Sequence, residues 1–201
     1  MSEIDKSLIT GVILAGGRGQ RMDSQDKGLV RLAGRPMVEY VLDALAPQVG
    51  ALMINANRNA EVYAGYGYPV VPDLMGGYHG PLAGMAAAMQ AAQTPYIATV
   101  SCDSPFIPAE LVGRLAQALE TQGAELSVAH SGGRLEPVFA LINCKLMNSL
   151  EKYLATGERK IDRWYAKHTM AAVDFSDLPD TFLNINTPAD LDQAMSRLVT
   201  P

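Results

Sequence analysis

A short apolar segment runs into a glycine-rich loop at residues 8–22, LITGVILAGGRGQRM. Residues 8–15 are rich in branched apolar side chains, as expected of a central strand that is covered on both faces. Three glycines follow in close succession, Gly16, Gly17 and Gly19. Glycine lets successive backbone N–H groups turn toward an anion and approach it closely. The segment therefore predicts a buried strand that ends in an anion-binding loop.

Strand and helix patterns alternate from this segment onward. Further strands are predicted at residues 51–54, 69–71, 96–100, 125–129, 137–142 and 181–185. Helices are predicted at Pro36, Pro81 and Pro108, over residues 148–167, and from a capping box at residues 187–190, TPAD. This alternation is typical of an α/β fold, and we expect a doubly wound, mainly parallel sheet in three αβα layers. Ligands bind such sheets beyond the carboxyl ends of the strands.

The composition indicates a soluble globular protein. The chain has 201 residues, of which 48% are hydrophobic and 18% charged, so we expect one domain with its own core. A net charge of −5 argues against a nucleic-acid surface, and no apolar run approaches the roughly 20 residues that span a bilayer. Residues 1–10 lack the features of a signal peptide, so we expect a cytoplasmic protein with no membrane role. Cys102 and Cys144 are far apart, which favours ordinary buried thiols.

Basic side chains accompany the glycine-rich loop. Arg18, Arg21 and Lys27 follow the first strand closely, and together with the glycines they make a triphosphate the natural ligand. The spacing matches neither the P-loop nor the dinucleotide-binding glycine pattern. The alternative is a flexible turn with a solvated basic surface.

A second loop, residues 101–108, reads SCDSPFIP and places Asp103 at the end of a buried strand. The loop contains no basic residue that could neutralise this carboxylate, so a metal ion is expected to do so. Mg²⁺ prefers one or two carboxylates together with phosphate oxygens of the substrate. Asp103 is therefore a predicted Mg²⁺ ligand. The alternative is that it caps a turn before Pro105.

Several motifs together resemble those of one enzyme family. They lie at residues 14–28, 55–58 (NANR), 73, 80–84 (GPLAG), 102–108 (CDSPFIP) and 184–188 (NINTP). In this order they resemble the molybdenum cofactor guanylyltransferase (MobA) family of nucleotidyltransferases, over nearly the whole chain. The resemblance implies a nucleotide-diphospho transferase fold and Mg²⁺-dependent transfer of GMP from GTP to molybdopterin, with or without molybdenum. It also implies contacts with other proteins of the cofactor pathway and with recipient molybdoenzymes.

The resemblance assigns roles to residues of the first half, about residues 1–107. It implies that Leu14, Ala15, Gly16 and Gly17 contact the nucleotide. Arg21 and Lys27 would lie along the triphosphate and stabilise the departing pyrophosphate, and Asp103 would hold Mg²⁺ beside the nucleotide. The acceptor phosphate is already a nucleophile, so no general base is required.

By the same resemblance, Asn55 and Asp73 would contact the guanosine. A carboxylate can accept hydrogen bonds from guanine N1–H and N2–H₂ together, which adenine cannot offer. The alternative is that both residues are loop caps. Gly80 lies at a helix start where a side chain could obstruct the nucleotide, although helix packing explains it equally well.

The acceptor is assigned to the second half, about residues 108–201. Arg159 and Lys160 beside Trp164 suit a flat, anionic pterin phosphate, whereas the alternative is a solvated helix face with Trp164 packed inward. By resemblance, Asn184 and Asn186 face the Asp103 loop. Rival functions are a molybdenum cofactor cytidylyltransferase, a sugar-phosphate nucleotidyltransferase, and a non-catalytic carrier of the nucleotide or the cofactor.

Overall fold

The computed structural model describes residues 4–16, 26–74, 80–178 and 181–199. Within these ranges the strands are β1 Ile9–Leu14, β2 Arg31–Leu32, β3 Arg35–Pro36, β4 Ala51–Asn55, β5 Val70–Val71, β6 Tyr96–Ser101, β7 Leu126–Ser131, β8 Arg134–Asn143 and β9 Met170–Asp174. The helices are α1 Met37–Leu45, α2 Ala60–Ala64, α3 Pro81–Ala91, α4 Leu111–Thr121, α5 Met147–Ala155, α6 Ile161–Tyr165 and α7 Pro188–Val199.

Seven of these strands form one sheet in the order β5-β4-β1-β6-β8-β7-β9, and β2 pairs with β3 in a separate hairpin. β1 pairs in parallel with β4 and β6, while β8 runs antiparallel to both β6 and β7. β1 is buried along its whole length, as its apolar sequence predicts. The doubly wound, mainly parallel sheet is therefore confirmed, with β8 as the reversed strand.

Two apolar clusters cover the two faces of the sheet. On one face, α1 and α4 pack side chains such as Val41 and Leu115 against Ile13. On the other face, α3, α5 and α6 pack side chains such as Met85 and Trp164. In α1, α4 and α5 the buried apolar side chains recur with helical spacing, so each of these helices buries one stripe, whereas α3 is buried all round over residues 82–89. The expected three αβα layers are confirmed. Among the described residues, no helix is long and apolar enough to cross a membrane.

Two predicted helices have different limits in the structure. The helix expected at Pro108 begins at Leu111, because residues 108–110 form a turn in which Leu111 N donates to the Pro108 carbonyl at 3.1 Å. Residues 148–167 contain two helices, α5 and α6. Gly157 separates them with a φ of +86°, a left-handed conformation that ends a helix and that glycine adopts without strain.

The strand predicted at residues 181–185 is absent from the described sheet. This segment is irregular, and its apolar side chains are anchors: Phe182 packs on Phe139 with ring centroids 4.7 Å apart, and Ile185 is buried in a small cluster with Leu32. The edge strand is instead β9, which pairs in parallel with β7. No strand was predicted from the sequence at the position of β9.

Candidate active site

The loops that follow the parallel strands β4, β1 and β6 lie side by side at one edge of the sheet. Leu14, at the end of β1, lies opposite Asn55 of β4 on one side and Ser101 of β6 on the other. Hydrogen bonds continue past the strand ends, from Ala15 N to the Asn55 carbonyl at 2.8 Å and from Cys102 N to the Leu14 carbonyl at 3.2 Å. Since neighbouring strands are about 4.8 Å apart, the two outer loops lie about 10 Å from each other.

Lys27 and Asp103 meet at the β6 side of this edge. Lys27 Nζ donates to Asp103 Oδ2 at 2.9 Å and also to the amide oxygen of Asn186. The Ser101 hydroxyl donates to Asp103 Oδ1. The Asp103 side chain is only 9% exposed, so a distant segment supplies the countercharge that its own loop lacks. Lys27, which lies outside this loop, therefore supplies a positive charge that was expected from a metal ion.

Residues 184–186 are held against the Asp103 loop. Ile185 N donates to the Asp103 carbonyl at 2.9 Å, and the Ser104 hydroxyl donates to Asn184 Oδ1 at 2.5 Å. The segment is fixed by the predicted capping box, in which Asp190 Oδ2 accepts from the backbone N–H groups of Asn186 and Thr187 at 2.9 and 2.8 Å. These hydrogen bonds lower the pKa of Asp190. The first turn of α7 thus orients Asn186 toward Lys27.

A second polar cluster lies on the β4 side of the edge. Asp73 Oδ1 accepts from Asn55 Nδ2 at 2.9 Å, and Asp73 Oδ2 accepts from Asn57 Nδ2 at 2.8 Å. Asn57 Oδ1 in turn accepts from Asp73 N at 2.8 Å. The orientation of the Asp73 carboxylate is therefore fixed by two amides. The sequence motifs assigned no role to Asn57, although it belongs to the NANR motif. Its position two residues after Asn55 is the sequence feature that could have indicated a shared contact.

Two glycines let the chain approach this second cluster closely. A Cβ on Gly84 of α3 would lie 2.2 Å from Asn55 Oδ1, and a Cβ on Gly16 would lie 3.2 Å from the same atom. A side chain at Gly84 would displace the Asn55 amide, whereas one at Gly16 would require a shift of a few tenths of an ångström. Gly80 precedes α3 with a φ of +74°, and a Cβ there would meet no atom within 4 Å. A positive φ rather than crowding therefore accounts for glycine at position 80.

A third cluster surrounds Asp26, to which the sequence motifs assigned no role. Asp26 is buried, and its two oxygens accept from the Tyr63 hydroxyl at 2.5 Å and from Asn59 Nδ2 at 3.0 Å. Burial and the neighbouring charges raise the pKa of Tyr63, so its hydroxyl stays protonated and can donate. Burial also raises the pKa of the nearby Cys102 thiol.

The predicted acceptor residues lie in two places. Asn184 and Asn186 contact the Lys27–Asp103 pair and its loop, as described above. Arg159 and Lys160 follow α5, and Arg159 Nη1 donates to the carbonyls of Leu154 and Glu158 at 2.8 and 2.7 Å. Trp164 is fully buried in the core, which confirms the alternative that it packs inward and contradicts an exposed ring beside Arg159 and Lys160. Gly17 and Arg21 lie outside the described residues.

The donors around Asp103 suit a hard cation. Asp103, the Ser101 hydroxyl and the Asn186 amide oxygen are all oxygen donors, which Mg²⁺ prefers over nitrogen and sulfur. Across the described part of the chain, no group of three or more His, Cys, Asp or Glu residues could hold a metal by itself. An ion at Asp103 would therefore take its remaining oxygens from water and from a bound substrate, as Mg²⁺ does with nucleotides.

The fold and the polar edge are those of the three-layer αβα proteins that bind ligands at the carboxyl ends of their strands. The family model for the MobA-like NTP transferase domain matches residues 11–172. The chain belongs to this family. It is 49% identical over 185 residues to a molybdenum cofactor guanylyltransferase of Shewanella sediminis, covering 92% of this chain and 94% of that one.

Two further comparisons agree with this assignment. A molybdenum cofactor guanylyltransferase of Shewanella woodyi is also 49% identical over 185 residues, covering 92% of this chain and 94% of its own. The crystal structure of molybdopterin-guanine dinucleotide biosynthesis protein A from Archaeoglobus fulgidus superimposes with a TM-score of 0.82. It is 24% identical and covers 96% of this chain and 100% of its own, which shows the shared fold.

Proposed function

We propose that the chain transfers GMP from GTP to the phosphate of molybdopterin, with or without molybdenum, and releases pyrophosphate. Its relatives at 49% identity are molybdenum cofactor guanylyltransferases, which favours this reaction over the cytidylyl, sugar-phosphate and carrier alternatives. The observation that carries the proposal is the meeting of Lys27, Asp103 and Asn186 at the carboxyl end of β6. A cation, a carboxylate and a neutral amide at this edge suit phosphoryl chemistry.

We assign the guanine base to Asp73. Each carboxylate oxygen has further lone-pair capacity after accepting one amide hydrogen bond, so both oxygens remain able to accept from a ligand. Guanine offers the N1–H and N2–H₂ donors side by side, whereas adenine offers an acceptor at N1. Because Asn55 and Asn57 already fix the Asp73 carboxylate, its side chain loses little conformational freedom when the base binds.

Lys27 and Arg21 are assigned to the triphosphate. The Lys27 ammonium is bound to Asp103 and Asn186, so it is already at the edge where phosphates would lie. A positive charge fixed there stabilises the charge that develops on the departing pyrophosphate. The acceptor phosphate is itself the nucleophile, so the chain's task is to position two anions and neutralise their charge.

We assign Mg²⁺ to Asp103, whose carboxylate accepts from the Ser101 hydroxyl and shares Lys27 Nζ with the Asn186 amide oxygen. When bound, Mg²⁺ supplies charge neutralisation to the phosphate oxygens. Asp103 would be its protein ligand, while Ser101 holds that carboxylate in orientation. Asn184, Asn186, Arg159 and Lys160 are assigned to the acceptor in the second half of the chain.

The test is a transfer assay with purified protein, MgCl₂, molybdopterin and α-labelled GTP, CTP or ATP. We expect labelled dinucleotide and pyrophosphate with GTP, little product with CTP or ATP, and loss of transfer when EDTA is added. Asp103→Ala should abolish transfer, while Asp192→Ala, an exposed change on α7, should not. Preferential turnover of CTP would contradict the guanine assignment, and full activity of Asp103→Ala would contradict the metal assignment.

A further inference from the structure

The buried Asp26 carboxylate is held by side chains of a separate helix and the residue before it. Tyr63, which is fully buried in α2, donates its hydroxyl to Asp26 Oδ1 at 2.5 Å. Asn59, which precedes α2, donates Nδ2 to Asp26 Oδ2 at 3.0 Å. A carboxylate that accepts from two donors in a buried setting is strongly fixed, since charge-assisted hydrogen bonds are about twice as strong as neutral ones.

The Asp26 carboxylate adjoins the lysine that faces Asp103. Lys27 is the next residue, and a tight turn follows in which Leu29 N donates to the Asp26 carbonyl at 2.9 Å. Gly28 completes the arrangement, because a Cβ there would lie 2.6 Å from the Tyr63 hydroxyl oxygen and 3.2 Å from Cys102 Cβ. The backbone on both sides of Lys27 is therefore packed against α2 and the Asp103 loop.

Asn59 has a backbone suited to this contact. Its φ of +52° is left-handed, a conformation that asparagine tolerates better than most residues. Asn55 and Asn57, in the same segment, donate instead to Asp73. One short segment therefore holds two carboxylates, one at the proposed base site and one beside Lys27.

We propose that Tyr63 and Asn59 are positioning residues, which hold Asp26 so that the Lys27 ammonium faces Asp103 and the nucleotide phosphates. The inference rests on the proposed function for its kinetic consequence. Neither side chain has a described contact with Lys27 Nζ or with Asp103 itself. Their effect on the reaction passes through the Asp26 carboxylate and the backbone of the turn.

Two variants test the contacts separately. Tyr63→Phe removes the hydroxyl and keeps the ring, and Tyr66→Phe is the matched control that removes a hydroxyl from the same region. Asn59→Gly removes the amide and keeps the left-handed backbone accessible. Circular dichroism and urea unfolding first establish that each variant is folded.

The kinetic readout is the division between kcat and KM for GTP. We expect Tyr63→Phe and Asn59→Gly to lower kcat by about 10- to 100-fold with little change in KM, because a displacement of about 1 Å can cost about 100-fold in rate. Asn57→Ala, two positions from Asn59, should raise KM for GTP instead, because it removes one of the two amides that orient Asp73. Tyr66→Phe should match the wild type.

A second readout needs no substrate. The protein is treated with an acylating reagent, and the acylation rate of Lys27 is followed by mass spectrometry with the exposed Lys145 as internal reference. We expect faster acylation of Lys27 in Tyr63→Phe and Asn59→Gly. The inference is overturned if both folded variants keep the wild-type kcat, or if both keep the wild-type acylation rate. Failure of the wild type to transfer GMP would instead contradict the proposed function and leave the acylation result to decide the positioning role.

Discussion

Nζ of Lys27 lies 2.9 Å from Oδ2 of Asp103, although 76 positions separate the two residues in the chain. The Asp103 side chain is almost completely buried and that of Lys27 is one-quarter exposed, so the pair excludes most of the surrounding water. Each charge is costly there without the other. Lys27 and Asp103, the two side chains that we assign to the reaction, therefore neutralise each other's charge in the site.

The first prediction concerns the stability of this pair. Lys27→Met leaves a buried carboxylate without its cation, and we expect the free energy of unfolding to fall by about 1–3 kcal/mol. The double variant Lys27→Met/Asp103→Asn should lose less than Lys27→Met alone, because the uncompensated charge is gone. Urea unfolding measures both, and Lys145→Met at the surface should change stability by less than about 0.5 kcal/mol. A double variant that loses the sum of both single changes would contradict this account.

The helices and strands could be predicted where the apolar pattern of a single segment determines its secondary structure. β1, β4 and β6 are apolar runs ended by glycine or polar residues, and α1 and α4 show one apolar face, so local sequence was sufficient. The strand predicted at residues 181–185 was wrong because the apolar side chains of this segment fill gaps beside a loop instead of lining a strand. β9 was missed because an edge strand is specified by its pairing with β7, which sequence alone does not display.

The site was predictable only in part for a related reason. Asp103 and Lys27 were found because each stands in a distinctive loop, but their pairing joins segments that no local pattern connects. The Asp26, Tyr63 and Asn59 cluster depends on the way α2 packs, and a lone tyrosine in a short helix carries no signal of such a contact. The assigned roles of Asn184 and Asn186 came from resemblance, and their contacts depend on the folded position of α7.

The second prediction concerns two glycines in helices. A Cβ at Gly84 would lie 2.2 Å from Asn55 Oδ1, so Gly84→Ala should destabilise the protein by about 1–3 kcal/mol and raise KM for GTP. At Gly113, in α4, an added Cβ would meet no atom within 4 Å, and Gly113→Ala should stabilise the protein by about 0.5–1 kcal/mol. Thermal unfolding and transfer kinetics of the two variants test this contrast. Equal effects of both changes would show that crowding at Asn55 is unimportant.

The third prediction concerns pH and the start of α7. The pKa of Asp190 is lowered from 3.8 because its carboxylate accepts backbone hydrogen bonds from Asn186 and Thr187. A group with a lowered folded pKa stabilises the protein above its unfolded pKa, and this contribution is lost as the pH falls through the folded value. The stability difference between wild type and Asp190→Asn should therefore be constant near neutrality and shrink below pH 3.8. Asp192→Asn is the control, and an equal difference at all pH values would refute the capping role.

The fourth prediction concerns the two thiols. Burial raises the pKa of Cys144 from 9.0 to about 11, which lowers its thiolate fraction at pH 8 by about 100-fold. We expect slow reaction of Cys144 with a disulfide reagent at pH 8 and a rate that rises with pH toward 11. Cys102, which is buried and has a raised pKa, should react only after unfolding in urea. Cys144→Ser assigns the two rates, and rapid reaction of Cys102 in the folded protein would contradict its burial.

The last prediction concerns the choice of base. Asp73→Asn replaces one carboxylate oxygen by an NH₂ group, so the side chain can no longer accept from guanine N1–H and N2–H₂ together. It also removes the charge that Asn55 and Asn57 hold in place. A site that hydrogen-bonds its substrate can reject a mismatched analogue by several orders of magnitude, so we expect the preference for GTP over ATP to fall by about 100-fold or more.

The ratio of kcat/KM values for GTP and ATP measures this change in base preference. Asp43→Asn is the matched control, since Asp43 pairs with Arg35 on the exposed side of α1 and should leave the ratio unchanged. The decisive comparison is with Asn57→Ala, which keeps the Asp73 charge but removes one of its two amide donors. That variant should lower affinity for GTP while retaining preference over ATP, because the carboxylate still presents two acceptors. If Asp73→Asn keeps the wild-type ratio, the guanine edge is read elsewhere, and the Asn55–Asn57 amides serve only to close the loop after β4.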